Sequence, residues 1–251
     1  LVARIEATSV PITSWMEVRD GVNPGPRSFR DRIVLAAPDS TDASVRPMIV
    51  GGDIEPFRVK PSTRWIRHNP RLLTPAIRKQ GASFRAPELF SGPKLVSRQT
   101  ASHPIAGLDL DCRSAINSVH IMIPAETLGF DTQPARALLL ILGCLNATPL
   151  TWYYRQRWME NRRVFPQVHI SSLRQLPIPA AFREAAAAAQ LAQAAGAAAG
   201  AADARENLHT WLNQAGVELA PDTNVAQARR QVDRQLLAAW RITPEEWEQA
   251  A

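Results

Sequence analysis

An α+β fold is predicted: a small mixed or antiparallel sheet with a buried helix pair, followed by a C-terminal helical hairpin or small bundle. Three observations predict it. Short apolar bursts of strand length, separated by proline- and glycine-rich turns, fill the first two thirds of the chain. A leucine-rich segment near residue 140 and its neighbour carry helix-start signals. Beyond Pro179 the composition changes abruptly to alanine and then to amphipathic periodicity.

Taken in order, residues 1–14 read as a linker from an upstream domain, and the opening at Leu1 rather than methionine suggests a piece of a longer protein. Residues 15–179 form one predicted domain. Within it "RIVLAA" (32–37), "PMIVGG" (47–52), "KLVSR" (94–98) and "SVHIMI" (118–123) have the length and β-branched content of strands. "DGVNPGP" (20–26) and "FSGPK" (90–94) have the composition of turns. "DTQPARALLLILGCLNAT" places Pro134 near a helix start, and its leucines cover most of the circumference, so this helix is expected to be buried. Thr148 and Pro149 then read as N-cap and first residue of a second helix. That helix sets Trp152, Tyr153, Tyr154 and Trp158 beside Arg155, Arg157, Arg162 and Arg163. Core packing is the expectation for most of these aromatics, while the arginines cannot all be core.

Residues 180–251 form the predicted helical region. The alanine-rich stretch has high helix propensity, interrupted by Gly196 and Gly200, and low-complexity linker is an open alternative for it. Val225, Ala228, Val232, Leu236 and Trp240 recur at spacings of three or four, as on one face of a helix. In "TPEEW", Thr243 and Glu246 are spaced for a capping box.

Charge separates the two parts. The chain carries a formal +6, but residues 1–179 hold 23 basic and 14 acidic side chains, a net of +9, whereas residues 180–251 hold 6 and 9, a net of −3. Such asymmetry fits a polyanionic partner for the first part. All but three of the basic residues are arginine, the side chain suited to bidentate contacts with phosphate and guanine, although GC-rich coding would also enrich arginine and alanine. From Val59 to Pro87 no acid occurs, while Lys60, Arg64, Arg67, Arg71, Arg78, Lys79 and Arg85 all do, interleaved with Trp65, His68 and Phe84. A solvated charged loop usually mixes signs; an acid-free one with aromatics suits phosphate neutralisation together with base readout.

Much chemistry is missing. No phosphate-binding loop, G-x-S-x-G elbow, H-E-x-x-H or PD…E-x-K arrangement occurs. The five histidines are scattered and the two cysteines, Cys112 and Cys144, form no CxxC pair, so neither a metal site nor a disulfide framework is expected, and a reducing cytoplasm fits. The longest strongly apolar run, residues 137–142, is far short of the roughly 20 residues a bilayer requires, so no membrane partner is expected. Asp53 and Glu55 flank Ile54, but two carboxylates alone indicate structure or proximity to a phosphate backbone rather than catalysis. No catalytic residue is assigned.

Five segments in order resemble the target-recognition domain of TaqI-like adenine-specific DNA methyltransferases and of fused type II restriction–modification enzymes. They are "GVNPGPRSFRDRIVL", "VRPMIVGGDIEPFRVKPSTRWI", "LFSGPKLVSRQTASHPIAGLDLD", "LLLILGCLNATPLTWYYRQRW" and "HISSLRQLPIP". The match covers residues 15–179 well and 228–247 loosely, where Trp240 replaces the tyrosine usual in that family. The resemblance implies double-stranded DNA as partner, and a methyltransferase domain upstream in the same chain that holds S-adenosylmethionine and an (N/D/S)PP(Y/F) motif. This sequence contains no Pro-Pro pair, so no cofactor is expected in the present segment and a bacterial cytoplasm is the expected location.

Carried over residue by residue, the "G-x-DI" element falls on Gly51, Gly52, Asp53 and Ile54, with the glycines meeting backbone needs and Asp53 orienting a loop. The "PK…R" element makes Lys94 and Arg98 expected DNA contacts. Arg58, Lys60, Arg64 and Arg67 are the foremost candidates for phosphate or major-groove contact, followed by Arg155, Arg157, Arg162 and Arg163. "LPIP" closes the domain: Pro177 and Pro179 disfavour the helical region for Leu176 and Ile178 and remove ladder donors, so an extended edge element is expected. Two other readings stand beside this one: half of a type I restriction specificity subunit, and a non-catalytic protein-interaction domain with a basic face.

Overall fold

The computed structural model describes residues 1–126, 134–158, 166–220 and 222–251. The α+β class holds, with two four-stranded sheets where one was expected. Residues 1–14 are not a linker. They form helix α1 (Val2–Ala7), strand β1 (Ser9–Pro11) and a 3-10 turn, because Ile5 and Ile12 are fully buried.

Strand β2 (Met16–Asp20) leads through a turn into helix α2 (Arg27–Ile33) and strand β3 (Val34–Leu35). "RIVLAA" is therefore strand only at its centre: Phe29 and Ile33, four apart, both face the core, and that helical stripe governs the start of the segment. Strand β4 (Val45–Ile49), the short hairpin β5 (Ile54–Glu55) and β6 (Arg58–Val59), strand β7 (Arg64–Arg67) and helix α3 (Pro75–Lys79) follow. Strands β8 (Lys94–Arg98), β9 (Ala106–Asp109), β10 (Ser114–Ala115) and β11 (Val119–Pro124) complete the sheets.

The central sheet, in order β2-β11-β8-β9, is antiparallel throughout. Both of its faces are covered, which explains why its strands read as continuous apolar runs rather than as an alternation. Leu95 and its cross-strand partner Met122 enter one core; Val96 and its partner Ile121 enter a second. An outer sheet, in order β10-β4-β7-β3, closes that second core with α2, through Ile49, Ile66, Phe29 and Ile33.

The first core is helical. Helix α4 (Pro134–Asn146) is buried as expected and α5 (Thr148–Trp158) is half-buried, with Tyr153 and Tyr154 inside. The asparagine ending α4 pins the helix to β9. Asn146 Oδ1 accepts from the Ala106 amide at 3.1 Å, and its Nδ2 donates to the Ala106 carbonyl at 2.9 Å. Helix α6 (Ile170–Arg174) and strand β12 (Pro177–Pro179) follow. Strand β12 is extended and, among the described residues, pairs only with β1, Ile178 opposite Val10. The flanking hydrogen bonds are donated by Ile12 and Ala180, so neither proline leaves a gap in the ladder.

Beyond this strand, helices α7 (Ala185–Ala202), α8 (Glu206–Gln214), α9 (Val225–Ala239) and α10 (Pro244–Ala250) form the C-terminal bundle. The alanine-rich stretch is a packing helix rather than a linker. Its small side chains let α7 approach α4 so closely that a Cβ on Gly143 would lie 2.7 Å from Leu191 Cδ2. The capping box forms as read: Thr243 Oγ1 accepts from the Glu246 amide at 3.2 Å, and the Glu246 carboxylate accepts from the Thr243 amide at 3.0 Å. Trp240 is buried and donates to Ser9 Oγ at 2.9 Å, tying the C-terminal helices to the first strand. No single described helix is long and apolar enough to cross a membrane, and α4 with α5, bent by 62°, is a core pair.

Candidate nucleic-acid interface

A rigid turn sets the position of α2. Asn23 Oδ1 accepts from the Gly25 amide at 3.1 Å, and Asn23 exchanges backbone hydrogen bonds with Ser83. Gly25 has φ 62°, and a Cβ there would sit 2.6 Å from that of Ala82, so both its conformation and its space require glycine. Phe29 packs edge-on against Phe84, with ring centroids 6.3 Å apart. With Phe29 and Ile33 held inside, the opposite face of the helix, Arg27, Arg30 and Asp31, points outward.

Across from that face stands the start of β7. Arg27, Arg30, Asp31, Thr63 and Arg64, with the backbone around Val34–Ala36, line an open groove of ≈ 760 Å³. The guanidinium groups of Arg30 and Arg64 are exposed and make no ion pair or hydrogen bond with another described residue. Arg27 lies 3.7 Å from Asp31, and both are well exposed. In the same layer Arg71 and Lys79 are exposed without a side-chain partner among the described residues. Arg30 and Arg64 thus bring unpaired positive charge to a groove that also holds the Arg27–Asp31 pair, an arrangement whose net charge attracts anions.

The expected contact residues divide by what surrounds them. Arg64 lies in the groove. Arg58 and Lys60 are half-exposed and share Glu55, at 3.9 and 2.6 Å. The hydrogen bond from Lys60, with the charges of Lys60, Arg58 and Arg98, holds the Glu55 carboxyl below its ordinary range, so three cations surround one carboxylate. Arg98 donates from Nε to the Ile54 carbonyl at 2.6 Å, which fixes the β5–β6 hairpin on β8.

Arg67 is bound internally, to Asp42 at 2.6 Å, Asp39 at 3.4 Å and the Arg32 carbonyl at 3.1 Å. Lys94 is a correction. It is 0% exposed, with its ammonium 2.5 Å from Asp109 and donating to the Phe90 carbonyl, so it cannot reach a phosphate outside. Asp109 also holds Arg113 at 2.6 Å. Burial pushes the Asp109 carboxyl up, but Lys94 and Arg113 outweigh it and leave it below the usual carboxylate range. The three residues are a buried structural triad.

Arg155 is exposed on α5, and Arg157 pairs with Glu6 at 3.1 Å. Arg162 and Arg163 lie outside the described residues. Gly51 and Gly52 correct the expectation of a backbone need: neither has positive φ, and a Cβ on Gly52 would meet nothing within 4 Å. Asp53 does orient its loop, accepting from the Val50 amide at 2.9 Å. Leu176, Pro177 and Pro179 are buried in or beside the two-stranded pairing with β1.

Sequence reading missed Arg27, Arg30 and Asp31. The available signal was Pro26 ahead of Phe29 and Ile33, a helix start followed by a stripe four residues apart, which the β-branched "RIVL" obscured. Among the described residues no cluster of histidine, cysteine and carboxylate groups suited to a metal ion occurs.

A search of curated proteins returns no match. The fold is similar to that of the type IIL restriction–modification enzyme MmeI, solved in complex with DNA, with a TM-score of 0.52 at 12% identity over 93% of this chain. The chain spans 33% of that protein's length. The family model of the TaqI-like C-terminal specificity domain matches residues 46–178, from the outer sheet through α4 to β12, and the chain belongs to that family.

Proposed function

We propose that this chain is the DNA-sequence recognition module of a restriction–modification enzyme, one that modifies adenine using S-adenosylmethionine held by a catalytic domain outside this segment. The observation that carries the reading is the groove between α2 and β7, where Arg30 and Arg64 are exposed and unpaired, Arg64 within the span that the specificity-domain family matches. The structural likeness to MmeI supports the same reading at the level of fold. The sequence contains neither a glycine-rich cofactor loop nor a Pro-Pro motif, so selection of the site falls to this module while base flipping and methyl transfer fall elsewhere. The C-terminal helices fold back onto the module instead of extending as a spacer, which favours this reading over a type I specificity half.

Titration of duplex DNA into the 251-residue chain at several salt concentrations tests the proposal. Log affinity is expected to fall linearly with log salt, as counterions are released from the contacted phosphates. Arg64→Ala is expected to weaken binding by at least about fivefold at fixed salt. Salt-independent binding, or wild-type affinity in this variant, would count against the groove as the DNA site.

A further inference from the structure

An interface built only to hold phosphates has no use for a carboxylate, since it would face a polyanion at close range. Yet Asp31 stands in the groove with Arg27, Arg30 and Arg64, its side chain 66% exposed. Among the described residues its ion-pair partner is Arg27 at 3.7 Å, itself 93% exposed, an arrangement contributing little to stability. Asp39, Asp42 and Glu55 differ, each binding a loop amide, hydroxyl or cation that shapes the backbone, whereas Glu88 is exposed like Asp31 but lies outside the groove.

A carboxylate can belong in a duplex interface when it accepts from a base. In the major groove cytosine presents an N4 amine, a donor that complements Asp or Glu, while guanine presents acceptors that complement arginine. Helix α2 is suited to deliver such groups. A helix with side chains is about 10–12 Å across, close to the major groove's width of about 12 Å. Gly25 against Ala82 and Phe29 against Phe84 hold it from beneath, so its outward face is fixed rather than carried on a free loop.

Resting on the DNA-recognition reading above, we propose that the outward face of α2 is the base-reading element, with Asp31 accepting from a cytosine N4 amine and Arg30 and Arg64 donating to guanine or to flanking phosphates.

The test selects bound duplexes from a randomised pool with the wild-type chain and with Asp31→Ala, then sequences both sets. Asp31 is exposed, so the variant keeps its core. The expected result is a cytosine preference at one base pair that falls about tenfold in the variant while the other positions keep theirs. An unchanged preference at every position overturns the inference and leaves the recognition module standing. A loss spread evenly over the whole site also overturns it, because that marks a role in docking rather than in reading one base. If the wild-type chain selects no sequence at all, the recognition reading fails, and this inference with it.

Discussion

Lys94 and Arg64 are cations on strands of the same domain, and their surroundings give them opposite uses. Lys94 lies between Asp109 and the Phe90 carbonyl with no exposed surface, and Asp109 is shared with Arg113. Removing one member of such a set leaves its partners charged and incompletely compensated. Lys94→Met is therefore expected to lower stability by about 3–5 kcal/mol in chemical denaturation, with DNA affinity of the folded protein unchanged. Arg64→Ala should do the reverse. The carboxylates add a pH dependence. Asp20 is held below its ordinary range by its hydrogen bond to His120, aided by the charges of His120, Arg85 and Arg174, and Asp109 is held low by Lys94 and Arg113. A group depressed in the folded state binds its proton more readily when unfolded. These two therefore contribute stability above the unfolded carboxylate value of about 3.9, and lose it as pH falls through their lower folded values. Denaturation midpoints should hold steady near neutrality and drop in acid. A midpoint rising below about pH 4 would contradict this assignment.

Elements were legible wherever local chemistry and packing agree. "KLVSR" is β8 end to end, Thr243 caps α10 as read, and α5 opens at Thr148, one residue ahead of the expected first helical residue Pro149. Legibility failed where tertiary contacts decide. Nothing local in "LVARIEATSVPITSW" signals that β1 will pair with β12 about 170 residues later, and the last residues of α2 are masked by the strand-like run that they open. Charge patterning named Arg64, which lines the groove, together with Arg67, which the fold ties to Asp42, because such an ion pair joins positions distant in sequence. Glycine shows the same division. Gly52 stands in a motif, yet Gly52→Ala is expected to leave stability unchanged or slightly raised, since no atom opposes a Cβ and the unfolded chain loses freedom. Gly143 stands in no turn, yet Gly143→Val is expected to cost about 1–3 kcal/mol by forcing α4 from Leu191 and Ala195 of α7. Thermal melts of the two variants check the pair, and equal midpoints would refute the close α4–α7 approach.

At the scale of the whole molecule, Pro179 marks a change of composition but no break in the core. Leu139 and Leu142 of α4 belong to the same buried cluster as Leu191 of α7, Leu236 of α9 and Trp240. The N-terminus is drawn in as well: Arg4 pairs with Glu246 at 2.7 Å, and Trp240 donates to Ser9. The C-terminal helices thus cover the helical layer beneath the central sheet, while the α2–β7 groove lies in the other layer. A chain ending at residue 179 would expose the side of α4 that Leu191 covers, and each large apolar side chain so uncovered forfeits roughly 1.5–3 kcal/mol. Domains retain only about 5–15 kcal/mol in all, so a few such losses suffice to unfold one. The 1–179 chain is accordingly expected to be insoluble or to lack a cooperative melt. The groove residues themselves would be intact in it, so its failure to bind DNA would follow from loss of the supporting layer rather than loss of contacts. A soluble 1–179 chain that melts cooperatively and binds duplex like the full chain would show that the second core and its sheet stand alone, and that the helices serve some purpose other than support.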